Sequence, residues 1–370
     1  MKEYLKVYDV VLKVQGPVFV GSGQEITKKE YVHRRGEVIV PEVAKMYQFL
    51  KKKSLASAYE DFIMKDSRTS LTDWMRDQKI TEKEIDSFAL YKLDCGDAIW
   101  ERRTQMQVMS CIKDAYGCPY IPGSSIKGML RTILLFYDIR NNPQQYDRIK
   151  RDILSKLDEK SKRMNYLRNE IRRLEEECFH IAGRTDRQAD MTNDIMSGMI
   201  VGDSRPLSME DMVLCQKVEY HKDGTEKRLN LLRECIKPGT EIHFTLTIDQ
   251  SICNLSMDYI ERAIKCFGEQ YYLMFSKKFP ATPKPAENTV WLGGGAGYVS
   301  KTITYALFEE KGVEVTQRIF MNTLGYKANK EHKHSEDKRM GVSPHILKKT
   351  KYNGESYQFG ECTIEWTQVS

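Results

Sequence analysis

Between residues 241 and 248 the chain alternates cleanly. Ile242, Phe244, Leu246 and Ile248 fall on one side and His243, Thr245 and Thr247 on the other, the period of a half-buried strand. Residues 4–14 read as a second strand, with Leu5, Val7, Val10, Leu12 and Val14 inward and a slip of register between Val7 and Val10. A 3.6-residue period predicts two core helices, one from near Ser125 through Met129, Leu130, Ile133, Leu134 and Tyr137, the other through Ile260, Ala263, Ile264, Phe267 and Tyr271. The charged segment 142–182 spaces Met164, Leu167, Ile171, Leu174, Cys178 and Ile181 three and four apart. It predicts an amphipathic helix or helical hairpin, with Lys160 interrupting the seam that a coiled coil would need.

Shorter patterns fill the gaps. Residues 31–33 and 38–40 predict a hairpin with Arg34 and Arg35 near its tip, and Val43, Met46, Tyr47 and Leu50 mark a helix after Pro41. A short helix is expected at 61–64, and Thr81 and Glu84 form a capping box for one running through Leu90. Strands are expected at 199–206, 212–220, 229–236 and 299–304. From Tyr326 the chain reads as a mobile basic loop ending in a hairpin, 347–352 against 357–366 across Asn353-Gly354.

The stretch Ile121-Pro122-Gly123-Ser124-Ser125-Ile126-Lys127-Gly128-Met129-Leu130-Arg131 carries the first candidate chemistry. Pro122 favours an extended Ile121, Ser124 or Ser125 supplies a helix cap, and Lys127 and Arg131 lie four apart beside Gly128. Two readings stand side by side: an ordinary capped helix with solvated cations, or a helix N-terminus arranged for a phosphate. A nucleotide P-loop is excluded, because Lys127 precedes Gly128 and no hydroxyl follows. Gly21-Ser22-Gly23 allows a close backbone approach to a ligand or an ordinary hairpin turn, and Gly293-Gly294-Gly295 with Gly297 implies a close approach to a ligand or tight packing on a neighbouring helix. The second is no dinucleotide fingerprint, since prolines precede it and strand-like residues follow.

Composition narrows the class. No apolar run approaches a membrane span and the first residues carry no signal-peptide pattern, so a cytoplasmic location is expected. Nine cysteines are scattered without a Cys-x-x-Cys pair, and Cys111 and Cys118 are too widely spaced for a zinc knuckle, so neither metal nor cofactor is expected. The surplus of 58 basic over 52 acidic residues, a net charge of +6, favours a polyanionic partner.

Taken in order, the first strand running into Val20-Gly21-Ser22-Gly23, the 121–131 block, Val201-Gly202-Asp203-Ser204, the Lys237-Pro238-Gly239-Thr240 turn and the glycine-rich loop ending in Lys301-Thr302 resemble the RAMP superfamily of CRISPR RNA-binding proteins. Length, insertions and the tail 343–352 are similar to the subunits that cap the 3′ end of the guide RNA in type III-A (Csm) effectors. The resemblance implies an α+β fold with a ferredoxin-like, RRM-type β-α-β-β-α-β core, large helical insertions and glycine-rich loops, a second, degenerate ferredoxin-like unit being left open. The expected division is a core of 1–40 plus 112–304 with an insertion at about 142–182, a helical insertion at 41–111, and a C-terminal region at 305–370.

Carried onto this sequence, the resemblance places RNA contacts on Gly21, Ser22, Gly23, Ser124, Ser125, Lys127, Arg131, Gly293, Gly294, Gly295, Gly297 and Lys301. The partners it implies are crRNA, target RNA, a backbone RAMP subunit, a small helical subunit, and host nucleases during crRNA maturation, with no membrane. Some RAMP proteins cut RNA. Here Glu25 and Glu30 follow the first glycine cluster, no Asp or His sits inside it, and the nearby His33 reads as a surface strand residue rather than a base. A non-catalytic subunit is therefore expected, with a crRNA-processing endoribonuclease as the alternative.

Overall fold

The computed structural model describes residues 4–34, 36–65, 69–98, 106–158 and 166–369. In chain order the first strands are β1 (Leu5–Val14), β2 (Gly21–Ile26), β3 (Val32–Arg34) and β4 (Glu37–Pro41), followed by helices α1 (Val43–Lys52), α2 (Ala56–Met64), α3 (Leu71–Asp77) and α4 (Glu82–Ser87). Then come β5 (Ala89–Asp94), β6 (Gln107–Cys111), α5 (Gly123–Asn141), α6 (Asp147–Asp158) and α7 (Arg168–Phe179). The second half holds β7 (Met199–Val201), β8 (Met212–His221), β9 (Glu226–Ile236), β10 (Glu241–Asp249), α8 (Met257–Met274) and β11 (Thr289–Trp291). It ends with α9 (Thr304–Phe308), α10 (Gly312–Thr323), α11 (Tyr326–His332), α12 (Asp337–Met340), β12 (Ile346–Tyr352), β13 (Glu355–Gln358) and β14 (Glu361–Gln368).

The fold is α+β, built on two sheets. The first has the order β11-β14-β1-β10-β7. Neighbours along β14-β1-β10-β7 are antiparallel, so β1-α5-β7-β10-α8-β14 traces the ferredoxin-like β-α-β-β-α-β path. The closing strand is not the one that follows α8. β11 lies at the outer edge and pairs with β14, whereas β14 takes the place beside β1, with Leu12 opposite Ile364. Residues 305–370 are therefore divided: β14 completes the first sheet, and β12 joins the second by pairing with β8. In β1, Tyr8, Val10, Leu12 and Val14 are buried, so one register holds through the expected slip and Leu5 and Val7 face the other way.

Helices α5 and α8 cover this sheet because each carries an apolar stripe. Phe136 of α5 meets Phe267 of α8 edge-on with ring centroids 5.0 Å apart, and Tyr271 packs on Trp291 of β11 at 4.2 Å. The charged segment forms a helical pair: α6 buries Ile149, Ile153 and Leu157, and Arg173 of α7 reaches Asp152 of α6 at 2.7 Å. Lys160 and Met164, like Arg35 of the first hairpin, lie outside the described residues.

The second sheet runs β2-β6-β9-β8-β5-β4-β3, with β12 and β13 attached beside β8. Segment 41–111 is thus not wholly helical, since β5 and β6 belong to this sheet. Helices α1 to α4 make a satellite core against β3 and β4, where Trp74 stacks on Phe62 at 5.4 Å. The Thr81–Glu84 capping box is present, although its helix ends at Ser87. The 15–20 connector joins the sheets, with Val18 exchanging backbone hydrogen bonds with Ile236 of β9 and Pro17 accepting one from Gly360.

Candidate nucleic-acid interface

Helix α5 begins two residues before Ser125, and neither serine caps it. The Gly123 N–H donates instead to Asp203 Oδ1 at 2.7 Å, so the protein's own carboxylate occupies the position expected for a phosphate. Gly123 is required by space: a Cβ there would lie 2.2 Å from the Val201 carbonyl oxygen. Ser204 completes the clamp, its Oγ accepting from the Ile121 N–H at 2.9 Å. The 201–204 and 121–131 blocks therefore hold each other, a role that neither spacing nor charge shows.

Arg131 is also engaged. Its guanidinium meets Asp194 at 2.9 Å and Glu175 at 3.4 Å and lies 4.5 Å from the Phe179 ring centroid, tying α5 to α7. Lys127, one turn earlier, is half-buried, and burial followed by the Arg131 charge pushes its ammonium below the ordinary lysine pKa, against the pull of Asp194. Ser124 and Gly128 are exposed.

The two glycine clusters converge on Phe19. A Cβ on Gly293, whose φ is +79°, would sit 2.2 Å from the Phe19 carbonyl oxygen, and the Gly294 N–H donates to that oxygen at 2.6 Å. The first cluster lies in edge strand β2, bulged against β6, where a Cβ on Gly21 would touch the Phe19 ring at 2.9 Å and Gly23 faces open space. Residues 299–304 are a 3-10 turn leading into α9, not a strand, because they wrap the loop end back toward α5. As a result Gly128 and Arg131 share a cavity of about 420 Å³ with Tyr298, Lys301 and Thr302.

A cation that sequence reading missed stands beneath the glycine-rich loop. Arg233 of β9 lies between the Phe19 and Phe359 rings, 5.3 and 5.4 Å from their centroids, and a Cβ on Gly295 would come 3.0 Å from its Nη1. Among the described residues its Nε and Nη1 are buried without a hydrogen-bond partner. Burial, then Lys348, with a smaller effect from Arg233, pushes the Lys217 ammonium down to about 8, while Lys301 is lowered by burial and then by Arg233. Glu219 offsets part of this, lying 4.0 Å from Lys217 and 2.8 Å from Lys348, and the remaining half-buried positive charge favours a polyanion. An arginine inside an apolar-looking strand was the available signal.

The catalytic candidates do not gather. Glu25 is exposed on β2, the Glu30 carboxylate accepts from the Thr27 N–H at 2.7 Å, and burial lowers the pKa of His33 on β3. Among the described residues the one trio of potential metal-binding side chains is His334, Asp337 and His345, from the tail expected to be a mobile loop; α11 and α12 fold that tail, with all three buried.

Comparison with known proteins fixes the family. Residues 11–299 match the RAMP superfamily model. The chain belongs to the RAMP superfamily. Among curated RAMP relatives it is similar to the CRISPR system Cms protein Csm5 of Mycobacterium tuberculosis, 28% identical over 98% of both chains, and to that of Streptococcus thermophilus, 26% identical over 82% of both. A chain in a cryo-EM structure of a type III-A Csm–crRNA–target RNA ternary complex shares the fold at a TM-score of 0.64 and 18% identity, covering 97% of this chain and 100% of that one. The crystal structure of T. onnurineus Csm5 superposes at 0.60 and 16% identity, covering 95% of this chain and 99% of that one. The RAMP assignment agrees with the ferredoxin-like path through β14. No helix among the described residues is long and apolar enough to cross a membrane.

Proposed function

We propose that this RAMP protein is a subunit of a type III-A CRISPR effector complex that binds and caps the 3′ end of crRNA, without cutting it, and supports complex assembly and crRNA maturation. The observation that carries the reading is the cation group of Arg233 beneath the glycine-rich loop with Lys217 and Lys301 near it, and Lys127 on α5, the helix whose Gly128 and Arg131 line the same cavity as Lys301. A guide of arbitrary sequence has to be held through sugar and phosphate, and cations on a backbone-lined surface suit that task. Similarity to Csm5 over nearly the whole chain supports the assembly role, with a backbone RAMP subunit and a small helical subunit as neighbours and host nucleases as trimming enzymes.

Fluorescence anisotropy with unrelated single-stranded RNAs tests it. Binding should fall steeply with salt, and Lys127→Ala combined with Lys301→Ala should weaken all sequences alike, lowering the log–log salt slope by about 0.7 for each phosphate no longer neutralised. Salt-independent binding, or weakening on one sequence only, would refute backbone capture. A defined cut in precursor RNA that disappears in Glu25→Gln or His33→Ala would identify an endoribonuclease instead.

A further inference from the structure

Four of the seven histidines lie in one corner, far more than an even spread would give. At its centre Asp337 is fully buried, with one carboxylate oxygen on His345 Nδ1 and the other on His334 Nδ1, 3.1 Å away, and on the Ser343 hydroxyl. His334 and His345 are themselves buried, with ring centroids 5.6 Å apart, and His221 of β8 stacks 5.9 Å beyond His345. The potential ligand atoms of the trio all lie within 4.8 Å of one another.

We infer that His334, Asp337 and His345 form a binding site for a divalent transition metal of the zinc class. Donors about 2.0–2.1 Å from a tetrahedral ion stand roughly 3.3 Å apart, and two imidazoles on it place their centroids roughly 5 Å apart. The 3.1 Å and 5.6 Å separations are already close to those values, and the ion would replace the protons shared around Asp337 while spreading the shorter His345–Asp337 contact. Two imidazoles and a carboxylate are the borderline donors that favour zinc over magnesium or calcium. A cavity of about 510 Å³, bordered by His345, His221, His332 and Glu219, gives access to the site from its His345 side. Lys222, Lys227 and Lys333 also border it, but Glu219, Asp223 and Glu331 offset their charge. The ion would fasten the α11–α12 segment to β12, and so to β8. This inference is independent of RNA binding.

The test uses the full chain, stripped with chelator and titrated with zinc by calorimetry and with cobalt(II) by visible absorption. One equivalent of zinc should bind and raise Tm, and cobalt should show the d–d band of a nitrogen–oxygen tetrahedral site with no thiolate charge-transfer band. His334→Gln, His345→Gln and Asp337→Asn should each lower zinc affinity at least tenfold. Absence of binding, a thiolate band pointing to the nine cysteines, or unchanged affinity in folded His334 and His345 variants would overturn the site and leave a self-contained hydrogen-bond cluster. If the variants fail to fold, the wild-type cobalt spectrum decides alone.

Discussion

Gly293–Gly295 and Gly21–Gly23 share a neighbour, Phe19, and use it oppositely. The first cluster presses its backbone onto the Phe19 carbonyl, where any side chain would overlap main-chain atoms; the second meets only the ring edge at Gly21 and opens to solvent at Gly23. A glycine run therefore marks close backbone approach without saying to what. Here the approach in the late loop is to the protein itself, which leaves the proposed RNA contact to the cations around it.

Substitutions separate the two uses. Gly293→Ala should cost about 3 kcal/mol or more in urea unfolding, since its Cβ would sit 2.2 Å from a carbonyl oxygen at a positive φ. Gly23→Ala, with positive φ but open space, should cost only about 1 kcal/mol. Equal losses would erase the contrast. Asp203→Ala, which frees the Gly123 N–H, should cost about 1–2 kcal/mol by the same measurement. Lys217→Met should move the other way, stabilising at pH 7 by about 1–2 kcal/mol. Below about pH 8 Lys217 is protonated whether folded or unfolded, and folding carries its burial cost. Between about 8 and 10.5 the unfolded chain holds the proton that the folded chain has lost, so wild-type stability rises with pH, and the variant should lack that rise. The smallest effect is expected at Gly128→Ala, a gain of about 0.5–1 kcal/mol in an open helical position.

Local periodicity made α8, β10 and the body of α5 legible, because Ile260, Phe267, Phe244 and Ile133 obey the period of the element they occupy. The Thr81 cap and the turn at Asn353 were legible for the same reason: both are local chemistry. Long-range choices were not. Cys362 and Ile364 alternate as well for a hairpin partner as for a strand beside β1, and nothing near Ser124 says that Asp203, some 80 residues on, will take the cap position. Val299 to Thr304 have strand-forming side chains, but packing of the loop end overrides that preference. The tail reads as a solvated basic loop because its lysines outnumber its acidic residues, which hides the buried Asp337.

The position of β14 bears on synthesis. β1 leaves the ribosome early, yet the strand that covers one of its edges follows about 350 residues later. Until then the nascent chain carries an exposed template for stray pairing, and premature termination before Glu361 would leave it permanently open. Chaperone dependence should therefore be greatest in products shortened at that end.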